Sequence, residues 1–437
     1  MNIRKTTVAA LVASASIASI AAIPEVTSVT MSQPSNSRLV TITYTLADAP
    51  GVVTLDVQTN ATADASADDP GWASIGGKAV CNAEGDVWKK IEPGSHTITW
   101  RPDLSWPDHK IADNRARAVV TAWATNNTPD YMAIDISAAA TAATEKKYYP
   151  GADYVPGGVT NSLYKTTMLL MRKIMAKGVT WTMGSTEFET QRVPAAEKTF
   201  QVTLTNNYYI GVYEFTKTQW LLLKSDWMPN WFTNLTDRAM RPVDNMCFTH
   251  ARGTNYYPDP PTSTSVLGKL QTKTGFFFDY PSEAQWEFAA RAGNGSTKWG
   301  DGSGILNSDE DENMSRLGRY KYNGGLINGT DEPDQSCGAT NGTAIVGAYE
   351  PNAWGLYDMF GNVWEICLDK YVDDISTNGG NVNPLGSALP SQTANVKRGG
   401  AYDVEAKNCR SAKRSSDKWA SGNKTSGFRV VTPAGLQ

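Results

Sequence analysis

The sequence predicts an α+β domain preceded by an all-β sandwich, and three features lead to this prediction. Between residues 24 and 140, short segments alternate apolar and polar residues and are rich in β-branched types. Further along, two capping boxes, Thr216–Gln219 and Ser282–Gln285, stand where helices should begin. Residues 294–347 are dominated by glycine, asparagine, aspartate and serine, which is typical of long functional loops between short elements.

The predicted sandwich spans residues 24–140. Val40, Ile42 and Tyr44 alternate with threonines, which is the pattern of a strand with one buried face. Turn residues separate the strands, and residues 60–71 form a predicted long loop. Short strands at near-regular spacing, without a helical period, predict an immunoglobulin-like or fibronectin-type-III-like sandwich. The further predicted strands are 53–57, 96–100, 116–123 and 131–136.

A boundary should follow the sandwich, because residues 141–165 are small and polar and then rich in glycine and proline. We predict a linker there and a second domain over residues 166–434. Its predicted helices run from Thr216 to about Leu223 and from Ser282 to a stop at Gly293. Two helices among short strands and long loops predict an α+β fold. The predicted strands of this domain are 168–174, 179–183 and 208–213.

Charge and composition argue against two broad classes of protein. The chain has 437 residues, a net charge of −4 and no run of basic residues, so nothing predicts nucleic-acid binding. Charged residues make up 19% of the chain and tryptophan occurs 14 times, which is not the composition of a disordered protein. The length is sufficient for two or three folded domains.

The first 22 residues have the pattern of a secretory signal peptide. Arg4 and Lys5 precede a stretch of apolar and small residues, Ala9–Ala22, with small residues near a cleavage point. A membrane anchor is the alternative, but the stretch is short for a bilayer span and rich in alanine and serine. We therefore predict a secreted, periplasmic or cell-surface protein with no membrane span after signal removal.

The five cysteines leave at least one thiol free or in an intermolecular bond, because their number is odd. The pairing of Cys81, Cys247 and Cys337 stays open, although Cys247 has the apolar neighbours of a buried residue. The sequence has no Cys-x-x-Cys and three histidines, so a zinc site or a histidine-rich iron site has few ligands to draw on.

The stretch Gly355–Glu365 is a candidate cation site. Its two glycines bracket acidic and amide side chains, and a glutamate follows directly after a tryptophan. Carboxylate and amide oxygens together with freed backbone carbonyls are the ligands that a hard cation requires. The alternative is that Asp358 and Glu365 form ordinary hydrogen bonds within a loop.

Eight landmarks follow one another along the second domain. In chain order they are Thr182–Ser185, Tyr209–Thr216, Arg241–Val243, Tyr280–Arg291, Gly355–Glu365, Arg398–Gly400, Arg410–Arg414 and Gly427–Val431. Together they resemble the formylglycine-generating-enzyme, or sulfatase-modifying-factor, family. The resemblance implies a variant of the C-type lectin fold with much irregular structure, and it leaves the sandwich outside. Within the landmarks, Arg398, Arg414 and Arg429 are predicted to be structural, because one guanidinium can donate several hydrogen bonds to irregular backbone.

The resemblance also implies an oxidase that holds copper between two thiolates, and this sequence departs from that pattern. Val404 stands at the first thiol, Ala401 replaces a serine and Glu405 replaces a histidine. Valine cannot bind a soft metal. Cys409 is the nearest candidate for a catalytic residue: it falls at the second thiol when counted from the Arg398 landmark, but not when counted back from the arginines that follow it. We prefer the second count and predict that copper is not bound.

Two further expectations follow from the resemblance. Cys367 and Cys409 lie beside landmarks that should be close in the fold, so a structural disulfide between them is predicted. The family's structural calcium would be held by the carboxylates of Asp358 and Glu365 and the backbone carbonyls of Gly361 and Val363.

The leading functional hypothesis is an exported family member without the copper dithiol site, acting as a ligand-binding or scaffold module. Its ligand would be an unidentified protein or glycan, contacted by Tyr402, Asp403, Glu405 and Trp419 in loops near the former active site. The alternative is a formylglycine-generating oxidoreductase, or a non-haem iron relative, with a rearranged active site. A structural protein of the cell surface is a third possibility, but no motif in the sequence supports it.

Overall fold

The computed structural model describes residues 22–111, 114–141, 146–189, 191–232, 238–324, 342–377, 380–385 and 394–435. The predicted signal peptide and Cys337 lie outside the described residues. Within these ranges, no helix has both the length and the apolar character that a bilayer span requires.

The N-terminal part consists of two antiparallel sheets, in agreement with the predicted all-β region. One sheet has the order β1-β2-β7-β5, and in the other β3 pairs with β4, β6 and β8. Two short helices, α1 (Gly77–Val80) and α2 (Pro102–Ser105), lie between strands. The strands are β1 (Glu25–Ser32), β2 (Val40–Ala47), β3 (Gly51–Thr59), β4 (Ala73–Ser74), β5 (Glu84–Gly85), β6 (Lys90–Ile91), β7 (Gly94–Trp100) and β8 (Ala116–Ala124).

Alternation along these strands places their apolar residues in one core. Val40, Ile42 and Tyr44 of β2 are buried, and Ile42 faces Ile98 of β7 in the antiparallel register. Leu55 of the second sheet belongs to the same hydrophobic cluster. The two sheets therefore bury their inner faces together, as the period of two predicted.

The predicted sandwich ends at residue 140 and so includes a strand that the structure pairs with the second domain. Strand β9 (Tyr131–Asp135) was assigned to the sandwich, but it pairs with β11 (Met168–Ile174) in a five-stranded sheet of the second domain. Alternation identified the strand correctly, but it carries no information on which sheet the strand joins. The order of this sheet is β10-β9-β11-β14-β19, with β10 (Lys146–Tyr149), β14 (Tyr208–Gly211) and β19 (Val431–Pro433).

The described residues of the predicted linker, 141–165, form short regular elements and are partly buried. Strand β10 pairs with β9, and single 3₁₀ turns follow at 152–154 and 162–165. Tyr149, Val155 and Tyr164 are buried in the same cluster as the sandwich core. The polar and glycine-rich composition of this segment reflects its tight turns rather than a solvated connection.

Both capping boxes form where they were predicted. The Thr216 side chain accepts a hydrogen bond from the Gln219 N–H and begins helix α3 (Lys217–Leu223), and Ser282 begins α6 (Glu283–Arg291) in the same way. Helix α6 ends one residue before Ala292, which has left-handed backbone angles and precedes Gly293. In the described part of the second domain, three further helices were not predicted: α4 (Phe248–Arg252), α5 (Val266–Thr274) and α7 (Glu312–Leu317).

The remaining strands form a four-stranded sheet beside α6 and a separate two-stranded sheet. The four-stranded sheet has the order β17-β16-β15-β18, and the two-stranded sheet pairs β12 with β13. Helix α6 packs between these sheets, because Trp286 and Ala289 share one hydrophobic cluster with Val202 and Val396. The mixed fold, mostly sheet with few helices, agrees with the predicted α+β class. The strands are β12 (Thr180–Met183), β13 (Phe200–Thr203), β15 (Trp364–Lys370), β16 (Ala394–Arg398), β17 (Ser415–Lys418) and β18 (Ser426–Gly427).

Candidate functional site

The stretch at 355–365 forms a tight loop in which four residues have left-handed backbone angles. φ is +79° at Gly355, +54° at Asp358, +85° at Gly361 and +60° at Asn362. Glycine, aspartate and asparagine tolerate this region better than other residues, which explains why these types stand at these positions. The loop leads directly into β15, so that Glu365 lies inside the core.

Glu365 is held by a buried bidentate ion pair with Arg429. The Arg429 Nε donates to one carboxylate oxygen at 2.6 Å and its terminal nitrogen donates to the other at 2.5 Å. The indole N–H of Trp286 donates to the same carboxylate at 2.7 Å. Arg429 also donates to the backbone carbonyls of Gly211 and Tyr357, each at 2.9 Å, so it ties the loop to strand β14.

A second buried carboxylate, Glu214, supports the loop from the end of β14. It accepts hydrogen bonds from the Asn362 side-chain amide at 2.5 Å and from the Val363 N–H at 3.1 Å. Burial, together with the nearby carboxylates of Asp358 and Glu365, raises the pKa of Glu214 well above its usual value.

Asp358 is the third member of what we call the carboxylate cluster: Glu214, Asp358 and Glu365. Its Oδ2 accepts a hydrogen bond from the Gly347 N–H at 2.6 Å, whereas its buried Oδ1 has no partner among the described residues. Burial raises the pKa of Asp358 to about 6. Three buried carboxylates therefore face the closely bound Arg429 guanidinium and the nearby ammonium of the buried Lys165, so the cluster keeps an excess of negative charge unless it takes up a proton or a further cation.

Some of the residues predicted to bind calcium make other contacts in the structure. Both oxygens of Glu365 are engaged by Arg429 and Trp286, so Glu365 is not an open ligand. Gly361 and Val363 lie in the same loop, and Asp358 keeps one unpartnered oxygen. Within the described ranges, no group of three or more histidine, cysteine, aspartate or glutamate residues is placed to hold a metal ion. The negative charge of the cluster and the unpartnered Asp358 oxygen suit a cation, whereas both Glu365 oxygens are already engaged.

A second buried ion-pair network confirms the structural role predicted for Arg398 and Arg414. Arg414 donates to both oxygens of Glu283, at 2.6 and 3.0 Å. Arg398 lies 3.2 Å from Glu283 and also donates to Glu287. The two glutamates lie one turn apart on α6, so the network joins this helix to the segments around β16 and β17.

The predicted disulfide between Cys367 and Cys409 is not formed, and both residues are buried free thiols. They lie in the same hydrophobic cluster but face different surroundings. The Cys409 sulphur packs against Gly400, where a Cβ would overlap it, whereas the Cys367 sulphur lies 3.8 Å from the Glu365 carbonyl oxygen. Burial raises the pKa of both thiols, so neither is a ready thiolate.

The four predicted ligand-binding residues do not form one surface. Tyr402 is buried, with Phe232 packed edge-on against its ring at 5.4 Å between centroids. Trp419 is half-buried and stacks on Tyr256 at 4.9 Å, in a different cluster. The remaining two, Asp403 and Glu405, are half-exposed, and Glu405 forms ion pairs with Lys407 at 2.6 Å and Lys321 at 3.5 Å.

Comparison with known families identifies the second domain. The family described as the sulfatase-modifying factor enzyme 1-like domain matches residues 162–434, which is more than half of the chain. The chain belongs to this family. The match begins after the N-terminal sheets, in agreement with the resemblance that the landmarks indicated.

Several curated relatives are formylglycine-generating enzymes. That of Streptomyces coelicolor is 31% identical over 159 residues, which are 36% of this chain and 47% of the relative. That of Mycobacterium tuberculosis is 28% identical over 227 residues, 47% of this chain and 64% of the relative. The chain thus spans between about half and two thirds of the length of these two relatives. Among solved structures, PvdO from Pseudomonas aeruginosa covers 61% of this chain and 94% of its own, with a TM-score of 0.46 and 20% identity.

By the resemblance, Val404 and Cys409 mark the segment in which the enzymes of the family hold copper between two thiolates. Val404, at the position of the first thiol, is half-buried, and its carbonyl accepts a hydrogen bond from the Lys321 N–H at 3.0 Å. Cys409 is fully buried, and the adjacent Arg410 is fixed by Glu189 and Glu197. A hydrocarbon side chain cannot replace a thiolate ligand, so the residues at this position do not fit copper.

The sequence did not predict the role of Glu214, nor that a segment containing Phe232 covers Tyr402. Glu214 had a weak local signal, because an acidic residue stands between apolar residues just after strand β14. The segment that covers Tyr402 carried no local sequence signal. It is anchored by the buried pair of Lys217 and Asp244, 2.7 Å apart, in which Asp244 also accepts the Trp231 N–H at 2.5 Å.

Proposed function

We propose that this protein is an exported member of the sulfatase-modifying-factor family that has lost the copper dithiol site and acts as a ligand-binding or scaffold module. Val404 carries the proposal, because it stands where the enzymes of the family place the first copper thiolate. The burial of Cys409 supports it further, because a thiol sealed beneath Gly400 with a raised pKa is a poor metal ligand and a poor nucleophile.

The proposal is tested by turnover. The reduced full chain is supplied with copper(I) and oxygen and incubated with a cysteine-containing peptide, and the aldehyde product is sought by mass spectrometry. We expect no aldehyde above the background of a reaction without protein. Aldehyde that forms with the native chain and disappears with Cys409→Ser would show that the alternative, a rearranged oxidase, is correct.

We further propose that the carboxylate cluster holds a structural calcium ion, with Asp358 as its anchoring ligand. The unpartnered Asp358 oxygen and the excess of buried carboxylates over guanidinium support this proposal. Calcium would compensate the negative charge of the cluster and order the 355–365 loop, and it would take no part in a reaction.

We expect calcium to stabilise the fold, and to do so more strongly at pH 7 than at pH 5. The pKa of Asp358 is about 6 in the fold and 3.8 ordinarily, so the native state binds more protons in this interval and stability falls as pH rises through about 6. Calcium competes with these protons. At a free calcium concentration of about 100 times Kd, the free energy of unfolding should rise by about 2.7 kcal/mol.

Thermal melts with calcium and with a chelator, at both pH values, measure this effect. Asp358→Asn should lose most of the calcium-dependent shift, whereas Asp68→Asn, at an exposed aspartate of the 60–71 loop, should keep it. A native chain whose melting temperature is the same with calcium and with chelator at pH 7 would remove the calcium proposal.

A further inference from the structure

A cavity of about 260 Å³ lies on a part of the second domain that the proposed function does not use. It is bounded by strands β14 and β19, the first turn of α6 and the segments that carry Tyr257 and Phe277. None of its lining residues belongs to the 355–365 loop or to the 401–409 segment. The cavity is therefore separate from the residues on which the proposed function rests.

The wall of this cavity is electrically neutral. Its one carboxylate, Asp279, is neutralised by Arg252, whose Nε lies 3.0 Å from Oδ1 and whose terminal nitrogen lies 3.1 Å from Oδ2. Both residues are buried. The other lining side chains are aromatic, aliphatic, amide or hydroxyl groups. A charged ligand would lose its hydration here without gaining a counter-charge.

The cavity offers hydrogen-bonding groups that are fixed in orientation. The Asn207 Oδ1 accepts the Lys177 N–H at 2.9 Å, and the Gln285 Oε1 accepts the Ser282 N–H at 2.9 Å. Because backbone donors take both oxygens, each side chain has its NH₂ group left to offer. Asn207 and Gln285 therefore present two amide donors of fixed orientation at the cavity wall.

Two aromatic rings complete the cavity. Tyr257 is 46% exposed and Phe277 is 37% exposed, so both present ring surface to an incoming ligand. Sites for small molecules combine such apolar surface with a few fixed polar groups, in volumes of about 300–1,000 Å³. At about 260 Å³, just below this range, the cavity has room for a single ring rather than an extended chain.

We propose that this cavity binds one neutral sugar ring, such as the terminal hexose of a glycan. A pyranose has an apolar C–H face that packs against aromatic rings such as Tyr257 and Phe277, and hydroxyl groups at its edge that accept hydrogen bonds from the NH₂ groups of Asn207 and Gln285. The proposal deepens the proposed binding function by naming its ligand class, and it moves the contact away from Tyr402 and Trp419.

Saturation-transfer NMR on the full chain tests the proposal, with the methyl glycosides of glucose, galactose and mannose, N-acetylglucosamine, and methyl glucuronide as the charged comparison. We expect at least one neutral sugar to bind with a Kd of about 1 mM, as is typical of weak single-site binding. Tyr257→Ala and Phe277→Ala should each weaken it about tenfold. Gln285→Glu, which replaces the donating NH₂ group by an oxygen, should weaken it about fivefold.

Tyr322→Ala is the matched control, because this tyrosine is 42% exposed and lies outside the cavity. It should bind sugar as the native chain does. The proposal is overturned if no neutral sugar receives saturation, if the glucuronide binds more tightly than glucose, or if Tyr257→Ala and Phe277→Ala bind normally. Copper turnover is measured separately, so a chain that binds no sugar and forms no aldehyde would refute this site and leave the loss of the oxidase site intact.

Discussion

Arg429→Met is expected to destabilise the fold by about 3–5 kcal/mol, because it leaves buried carboxylates without their counter-charge. Arg429 is the guanidinium that pairs directly with Glu365. Burial raises the pKa of Asp358 and of Glu214, and the charge of Arg429 opposes that rise. Its donations to backbone carbonyls would be lost as well. Methionine keeps much of the side-chain volume, so the loss reports charge and hydrogen bonding more than cavity formation.

Denaturant unfolding measures this loss, and its pH dependence identifies the cause. Without Arg429 the pKa of Glu214 and of Asp358 should rise further, so these carboxyls take up protons at higher pH and the destabilisation should be smaller at pH 5 than at pH 8. Arg316→Met is the control, since Arg316 pairs with Asp301 and Glu350 at the surface with 43% of its side chain exposed. It should cost less than about 1 kcal/mol. Equal losses in the two variants would mean that the carboxylate cluster has no special role.

Glu283→Gln should produce a second large loss, of about 3–5 kcal/mol, because it removes the carboxylate that Arg414 and Arg398 share. Arg414 has no second carboxylate contact among the described residues, whereas Arg398 keeps Glu287. The amide has nearly the same shape as the carboxylate, so packing is retained. The larger part of the loss should therefore come from Arg414.

The same unfolding measurement checks this second variant, with Glu350→Gln at the surface as its control. Glu350 is 60% exposed and should contribute less than about 1 kcal/mol. The double variant Glu283→Gln/Arg414→Met should be more stable than Glu283→Gln alone, because removing both partners is cheaper than leaving one charge unpaired. A double variant that is less stable than either single variant would contradict this explanation.

Local signals predicted much of the fold. The capping boxes at Thr216 and Ser282 and the alternation of β2 were read correctly, because a helix start or a half-buried strand is determined within a few residues. Helix α5 was missed although its local signals were present, with Ser265 as N-cap and Gly275 in left-handed conformation after its end. Strand β9 was recognised but assigned to the wrong sheet, because strand pairing depends on distant residues.

The candidate site was predicted in its chain positions but not in its contacts. The 355–365 loop and the absence of a thiol at Val404 could be read from residue types alone. The pairing of Glu365 with Arg429 joins residues 64 positions apart, and no local pattern encodes it. The burial of Tyr402 depends on Phe232 folding over it, which a loop sequence does not reveal.

Copper(I) binding by the reduced chain tests the central claim, that Val404 abolishes the dithiol site, most directly. In a competition titration against a copper(I) indicator, we expect no tightly bound copper and the same curve for the native chain and for Cys409→Ser. One copper ion held tightly per chain and released by Cys409→Ser would contradict the account, because it would place a second sulphur donor beside Cys409.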